Sequence, residues 1–423
     1  MTMLRVLGQT KLYWGLALLF AFGVVSSPVT SKGHNIFLSP GNLSDVLRQV
    51  SITGLVAVGM TMVILIGGID LSVGSVMAFG SVITALMLTQ SGWSTGAELA
   101  VPASAIVALV VVGGTARFVL AGLGRRAPRR GRSPTWDTAL PWMFGLAAAV
   151  ALWLWLAPGA GQKFGIVRVL VAVPCVGLAV GAVTGLVIVL GRLQPFIVTL
   201  AAMVALLGLA RLAAGQDSAV IAVYSGTNAT PAVDMLRQVL WGVVPIPGLF
   251  FIGALVIFTL VLKFTVFGRY LYALGGNEEA TRLSGIAVVP VKISTYALSG
   301  MLSALASVLF VAQYRQGKPD AGSGLELDAI AAVVIGGTSL MGGRGTLAGT
   351  FVGVLIFGML TNILELHDIT TNFQLVLKGV IIVVTVLLQE RDLGQLTASL
   401  RRGARMRERD AAAVGQPQAG EQQ

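Results

Sequence analysis

The chain has 423 residues, of which 55% are hydrophobic and only 11% charged, with a formal net charge of +11. A soluble domain carries about a quarter charged residues, so a water-facing globule of this length is excluded, and the mean hydropathy of +0.85 agrees. With one cysteine and two histidines, no disulfide framework can form and metal or nucleophile chemistry has little raw material. The apolar runs are continuous rather than alternating, which argues against a membrane barrel. The expected fold class is an all-α polytopic membrane protein.

Uncharged runs extend over Ser51–Ile69, Leu71–Ala97, Val169–Gly191, Ile293–Tyr314, Ala329–Gly343, Thr346–Leu364 and Gly379–Gln389. Most reach the ~17–25 residues that cross hydrocarbon as helix. Twelve crossings are expected, near 12–29, 48–68, 71–90, 98–122, 138–158, 167–190, 196–214, 246–266, 292–314, 328–343, 346–364 and 374–390. Residues 1–390 then form one transmembrane domain. The tail 391–423, rich in Arg, Ala, Gln and Glu without apolar periodicity, is expected to be disordered.

Arg5 and Lys11 precede the apolar stretch Leu12–Val25, which reads as a retained first span rather than a cleaved leader. Basic residues gather beside the apolar runs: Arg125, Arg126, Arg129, Arg130 and Arg132 after the fourth span, Arg192 after the sixth, Lys263, Arg269, Arg282 and Lys292 around the link between the eighth and ninth, and Arg391–Arg409 in the tail. All fall on one side if both termini are cytoplasmic, as the positive-inside rule requires. This distribution marks topology beside membrane lipid and not a nucleic-acid surface. Lys32, Arg48, Arg315 and Lys318 are the scattered exceptions.

Between the second and third spans, Gly67-Gly68-Ile69-Asp70-Leu71-Ser72-Val73-Gly74-Ser75 places the only acid between Asp45 and Glu98. Glycines on both sides let the helix break there, so Asp70 either braces exposed backbone N–H groups and Ser72 or stands in a solute path. Ile66-Gly67-Gly68-Ile69-Asp70-Leu71 has an echo in Ile335-Gly336-Gly337-Thr338-Ser339-Leu340, and transporters are often built from repeats. Glycines inside apolar runs, such as Gly181/Gly185 and Gly349/Gly353, predict close helix packing. Cys175, inside an apolar span, reads as a small buried hydrophobe.

The link between the eighth and ninth spans differs from the other connections. In Gly275-Gly276-Asn277-Glu278-Glu279-Ala280-Thr281-Arg282-Leu283-Ser284-Gly285-Ile286, Asn277 can cap a short helix. Glu278 and Glu279 suit its N-terminal dipole, and Gly285 can end it. A defined polar helix outside the spans suits a docking partner. This stretch resembles the coupling segment of bacterial ABC permeases of the ribose and xylose type. Three further blocks agree in order: Leu47–Gln49 with Val58–Thr61 and 68–75, Phe196–Leu200, and Glu326–Ala332 with Ile335–Leu340. The resemblance covers about residues 40–98 and 166–390.

The resemblance implies a ten-helix permease core acting as a homodimer, a cytoplasmic ABC ATPase on the link 268–291, and an extracytoplasmic sugar-binding protein. It also implies a bacterial inner membrane location. ATP and Mg would be bound by the ATPase, leaving this chain without a cofactor. Gly275, Gly276, Asn277, Glu278, Glu279, Ala280, Arg282 and Gly285 would couple to the ATPase. Asp70, Ser72, Thr199, Thr361 and Asn362 are candidates for the translocation path or the helix break, and Thr84 is a further polar side chain within a span. Glu326 and Asp328, expected at the outer mouth of the tenth span, would face the binding protein, although Asp328 also suits a helix cap.

The stretch 100–165, with Trp142, Trp153, Trp155 and the arginine loop, departs from the pattern and is expected to be an added peripheral hairpin. Arg211 is expected to snorkel or to pair with Asp217. Glu365, His367 and Asp368 read as a solvated turn rather than a metal site. No Gly-x-x-x-x-Gly-Lys-Ser/Thr loop occurs, since Gly317-Lys318 continues into Pro319. The rival classes are an ion-coupled secondary transporter, which needs ionisable groups in its spans and finds at most Asp70, and an ABC permease for an inositol or nucleoside.

Overall fold

The computed structural model describes residues 2–91, 95–124, 134–157, 163–215 and 219–390. The arginine loop, Asp217 and the tail after Glu390 lie outside the described residues, as do the side chains of Arg5, Lys11 and Trp142. Helices α1 (Thr2–Ser26), α2 (Pro40–Leu65), α3 (Val73–Thr89), α4 (Thr95–Gly124), α5 (Pro134–Leu156), α6 (Ile166–Gly191) and α7 (Pro195–Ala214) come first. Then follow α8 (Ile246–Phe264), α9 (Val266–Gly276), α10 (Glu278–Leu283), α11 (Val288–Tyr314), α12 (Leu325–Ile335), α13 (Leu347–Leu366) and α14 (Thr371–Glu390). The chain divides into Met1–Thr370 and Thr371–Gln423, and α14 belongs to the second unit. The described structure is that of an all-α polytopic membrane protein; α2, α6, α7, α8, α11 and α13 are each long and apolar enough to cross a membrane.

Helices buried all round belong at the centre of a bundle. Nearly every residue of α2 from Val50 to Leu65 is buried, as are Val73–Leu88 of α3 and most of α11. α11 packs against α2, α3 and α6, while α8 and α13 lie on α2 and α7 lies on α3. Lipid gives apolar helices no hydrophobic drive to associate, so close contact between small residues supplies the packing. On α6, Gly177, Gly181 and Gly185 recur every fourth residue and face α11. A side chain at Gly177 would strike the Gly300 carbonyl, one at Gly181 the Tyr296 carbonyl, and one at Gly185 would come within 2.9 Å of the Ile293 Cα. Gly349 and Gly353 serve the same purpose between α13 and the end of α12, against Gly336 and Ala332.

One expected crossing is corrected. The helix predicted over 328–343 covers only Leu325–Ile335, which at 1.5 Å per residue is about 16 Å, roughly half the hydrocarbon thickness. Residues 336–343 carry no charge but contain glycines at positive φ, Gly337 (86°), Gly342 (84°) and Gly343 (69°), and such backbone leaves the helix. The other half of this crossing is irregular. Gln316–Gly317 (β4) pairs with Ile221–Ala222 (β1) near the far end of α3, where Gly317 packs on Ser81 and Ala85. The chain then runs along α3 until Gly322 meets Gly74. A second hairpin, Val239–Leu240 (β2) with Val244–Pro245 (β3), precedes α8.

The sequence echo has a structural counterpart, shifted by one residue. At the end of α2, Gly67 N–H donates to the Ile64 carbonyl and Gly68 N–H to that of Val63. At the end of α12, Gly337 N–H donates to Val334 and Thr338 N–H to Val333. Both are Schellman closures with glycine at the left-handed position, Gly67 at φ 73° and Gly337 at 86°.

The stretch expected to be a hairpin is covered by two helices, α4 and α5. α5 packs on α4, where a side chain at Gly145 would strike the Leu109 carbonyl. α4 in turn rests on α6 through the Ser104 hydroxyl, which donates to the Ala172 carbonyl at 3.2 Å. Trp153 and Trp155 are exposed.

Candidate coupling site and helix break

The link after α8 folds as two short helices. Thr265 caps α9 by accepting from Gly268 N–H (3.2 Å), and Leu271 and Leu274 bury its inner face. Asn277 ends α9 and caps α10, its Oδ1 accepting from Ala280 N–H at 2.9 Å. Glu278 and Glu279 occupy the first turn and Arg282 the last, an order that the helix dipole favours. Gly285, at φ 79°, closes α10, with its N–H donating to Arg282 and that of Ile286 to Thr281. Glu278 accepts from Lys292 Nζ at 2.6 Å, fixing α10 to the start of α11, and Arg282 pairs with Glu279 at 2.8 Å.

Gly275 and Gly276 do more than precede the cap. A side chain at Gly275 would run into the Leu65 carbonyl and the Gly343 amide. A Cβ on Gly343 would lie 2.9 Å from the Gly276 amide, and one on Gly342 would lie 2.8 Å from that of Gly67. Gly343 N–H donates to the Leu65 carbonyl at 2.9 Å, and the Tyr272 hydroxyl donates to the Gly345 carbonyl at 3.0 Å. Three backbone segments thus meet without side chains between them: the end of α2, the end of α9 and the loop 338–345. Burial pushes the Tyr272 phenol above its ordinary value.

The break between α2 and α3 is the second structured place. Asp70 is 2% exposed. Its Oδ1 accepts from the Ser72 N–H (3.0 Å) and hydroxyl (2.6 Å), and its Oδ2 accepts from the Ser299 hydroxyl of α11 at 2.9 Å. Thr199 of α7 donates to the Ile69 carbonyl at 3.2 Å. The phenol of Tyr296 stands against Gly68, where any side chain would collide with it. Residues from two other helices therefore satisfy or enclose the groups that the break exposes, as buried polar groups require.

The remaining candidates lie apart from these two places. Thr361 is buried with its hydroxyl on the Phe357 carbonyl of its own helix. Asn362 exchanges hydrogen bonds with Asn42 at 3.1 and 2.8 Å, joining the ends of α13 and α2 farthest from the coupling link. Thr84 is buried within α3. Glu326 and Asp328 sit in the first turn of α12, and the Glu326 carboxylate touches Gly74 at the start of α3. That point is about 20 Å along α3 from its far end, so the Glu326 carboxylate lies within the bundle and not at the outer mouth expected for it. Arg211 is exposed at the end of α7. Glu365, His367 and Asp368 form the turn that closes α13, and Cys175 is half-buried on α6.

Three features escaped the sequence. Ser299 is one serine among several in α11, and nothing in its neighbours marks it as the partner of Asp70. Leu283 on α10 and Met341 at the tip of the 338–345 loop are 79% and 78% exposed, yet apolar residues in an apolar chain give no sign of which face water. The backbone contact of Gly275 with Leu65 was equally hidden, because glycine pairs abound here.

The family of branched-chain amino acid transport system / permease components matches residues 42–126 and 132–386, which takes in all of α4 and α5 as well as the core. The ribose import permease protein of Bacillus subtilis (strain 168) is 35% identical over 355 residues, covering 84% of this chain and 86% of its own. That of Escherichia coli (strain K12) is 35% identical over 382 residues, covering 88% and 92%. The xylose transport system permease protein of Escherichia coli (strain K12) is 32% identical over 362 residues, covering 83% and 85%. No solved structure matches. The chain is a multi-pass membrane protein that belongs to the branched-chain amino acid transport system / permease component family and within it is similar to the ribose and xylose permeases.

Proposed function

We propose that this chain is the inner-membrane permease subunit of an ATP-binding-cassette importer that carries a monosaccharide, a pentose such as ribose or xylose, into the cytoplasm. The names of its relatives support the solute class. The observation that carries the mechanism is α10, a six-residue helix capped at both ends and braced by Lys292, whose outer face is left to a partner. Two copies enclose the path, each receiving an ATPase on α10, while a binding protein delivers sugar from the opposite side. ATP and Mg belong to that ATPase, since this sequence contains no phosphate-binding loop, and the chain is a transport subunit rather than an enzyme.

Transport follows alternating access, with ATP drawing the two α10 helices together and the bundles rocking about the path. The basic segments support a cytoplasmic α9–α10 and cytoplasmic termini. Asp70, Ser72 and Thr199 hold the helix break. Thr361 and Asn362 lie toward the entry side, and Glu326 and Asp328 stand between the binding-protein face and the coupling end.

Co-expression with the ATPase tests this. Glu279→Lys and Gly285→Val lie outside the lipid, so both variants reach normal membrane abundance, lose the ATPase on purification and abolish uptake. The chain alone hydrolyses no ATP. Ribose or xylose uptake driven by an ion gradient without an ATPase overturns the proposal.

A further inference from the structure

The loop 338–345 joins an exposed tip to a fixed base. Its tip presents an apolar side chain, Met341, which is 78% exposed, and Arg344, three residues on, is also exposed. Its base, in contrast, is fixed. Ser339 N–H donates to the Arg344 carbonyl at 2.9 Å and Gly342 N–H to Ser339 at 3.0 Å, closing a tight turn. Gly343 then bonds to Leu65, and Gly342 and Gly343 pack on Gly275 and Gly276. The next residue after Gly276 is Asn277, the cap of α10. Met341 and the exposed Leu283 of α10 therefore belong to one end of the molecule, on segments joined backbone to backbone.

We infer that the loop 338–345 is a second part of the ATPase-docking surface, and that through its base it carries the motion of the ATPase to the break between α2 and α3. This rests on the proposal that α10 docks the ATPase. The occupant is the same ATPase, because the surface is continuous with α10 and a methionine tip suits an apolar recess on a partner. Transmission follows from the glycine contacts. Where backbone touches backbone, no flexible side chain absorbs a displacement, so a shift of α9 and α10 moves Leu65 and Gly67 with it. Five residues after Leu65 comes Asp70, whose bond to Ser299 ties the break to α11. Tyr272, bonded to Gly345, is a positioning residue for this route.

The test uses the whole complex, with Cys175→Ala removing the only cysteine. Met341→Cys and Leu283→Cys are each coupled to a benzophenone and irradiated. Both are expected to form adducts with the ATPase at comparable yield. An adduct from Leu283 with none from Met341 overturns the inference and leaves α10 as the docking site. Adducts from neither position overturn both. Tyr272→Phe tests the transmission: the Met341 adduct persists, while ATP hydrolysed per ribose or xylose imported rises at least threefold. An unchanged ratio removes the loop from the coupling route.

Discussion

Ser299, deep in α11, donates a 2.9 Å hydrogen bond to the carboxyl of Asp70 in the break between α2 and α3. This bond joins segments 229 residues apart in the sequence, and the Ser72 N–H and hydroxyl satisfy the other oxygen. An acid buried in an apolar bundle persists when its acceptor capacity is used. Ser299→Ala leaves one carboxyl oxygen without this donor and is expected to cost about 1–3 kcal/mol. Ser303→Ala, one turn on, removes a hydroxyl that among the described residues bonds only to the Ser299 carbonyl of its own helix and is expected to be nearly neutral. Thermal unfolding of the two variants in detergent distinguishes them. Equal midpoints would mean that the Asp70–Ser299 bond contributes nothing to the bundle.

The glycine seam between α6 and α11 gives the second prediction. Gly181→Ala drives a methyl into the Tyr296 carbonyl, which is backbone and cannot turn aside, so the helices must separate. Overpacking of this kind costs about 1–3 kcal/mol. At Gly208 and Gly253, on α7 and α8, a methyl would meet nothing within 4 Å. Alanine there gains helix propensity, about 0.8–1 kcal/mol. The expected order of thermal midpoints is Gly208→Ala and Gly253→Ala at or above the parent, with Gly181→Ala below both.

Which features could be read in advance follows from what local chemistry encodes. α10 was legible because Asn277, Glu278, Glu279 and Gly285 each act on their own helix, and the structure repeats that assignment residue by residue. The close packing at Gly181 and Gly353 was legible because small residues in lipid have that one strong use. The extent of α12 was not. Ile335–Leu340 lies in an uncharged run that reads as a span, yet Gly337 closes the helix there, and the course of the loop beyond it is set where Gly342 and Gly343 meet Gly67 and Gly275 from distant parts of the chain. The partner of Asp70 was hidden for the same reason. Sequence marks an acid that needs donors, while tertiary packing selects Ser299 over its neighbours.

Orientation is the third prediction, and the structure chooses where to measure it. A reporter active only in the cytoplasm is placed after Arg130 in one fusion and after Gly226 in another. Gly226, at φ 76° with open space around it, lies in the loop between α7 and α8, which tolerates an insertion. Gly322 is a poor choice, since its backbone is wedged against Gly74. Activity is expected at Arg130 and silence at Gly226. The reverse pattern would place α10 outside the cell, away from any ATPase.

The last prediction concerns water at depth. The segment 318–324 is irregular, and Gly322 and Glu326 reach Gly74, about 20 Å along α3 from its far end. Non-helical backbone at such a level is tolerated only where protein buries it or where it lines a water-filled cavity. Gly322 is buried, but Ser323 beside it is exposed in the single chain. Facing lipid would leave the serine hydroxyl and the nearby Glu326 carboxylate without water, at a cost of several kcal/mol. Ser323 is therefore expected to face the solute path between two copies. In the Cys175→Ala background, Ser323→Cys should react in intact membranes with a small, charged, membrane-impermeant thiol reagent. Ser307→Cys, buried in α11, should remain unlabelled. Saturating sugar with the binding protein present should slow labelling of Ser323→Cys severalfold. No labelling of Ser323→Cys in any condition, or labelling of Ser307→Cys at the same rate, would show that the α12 entrance opens onto no aqueous route.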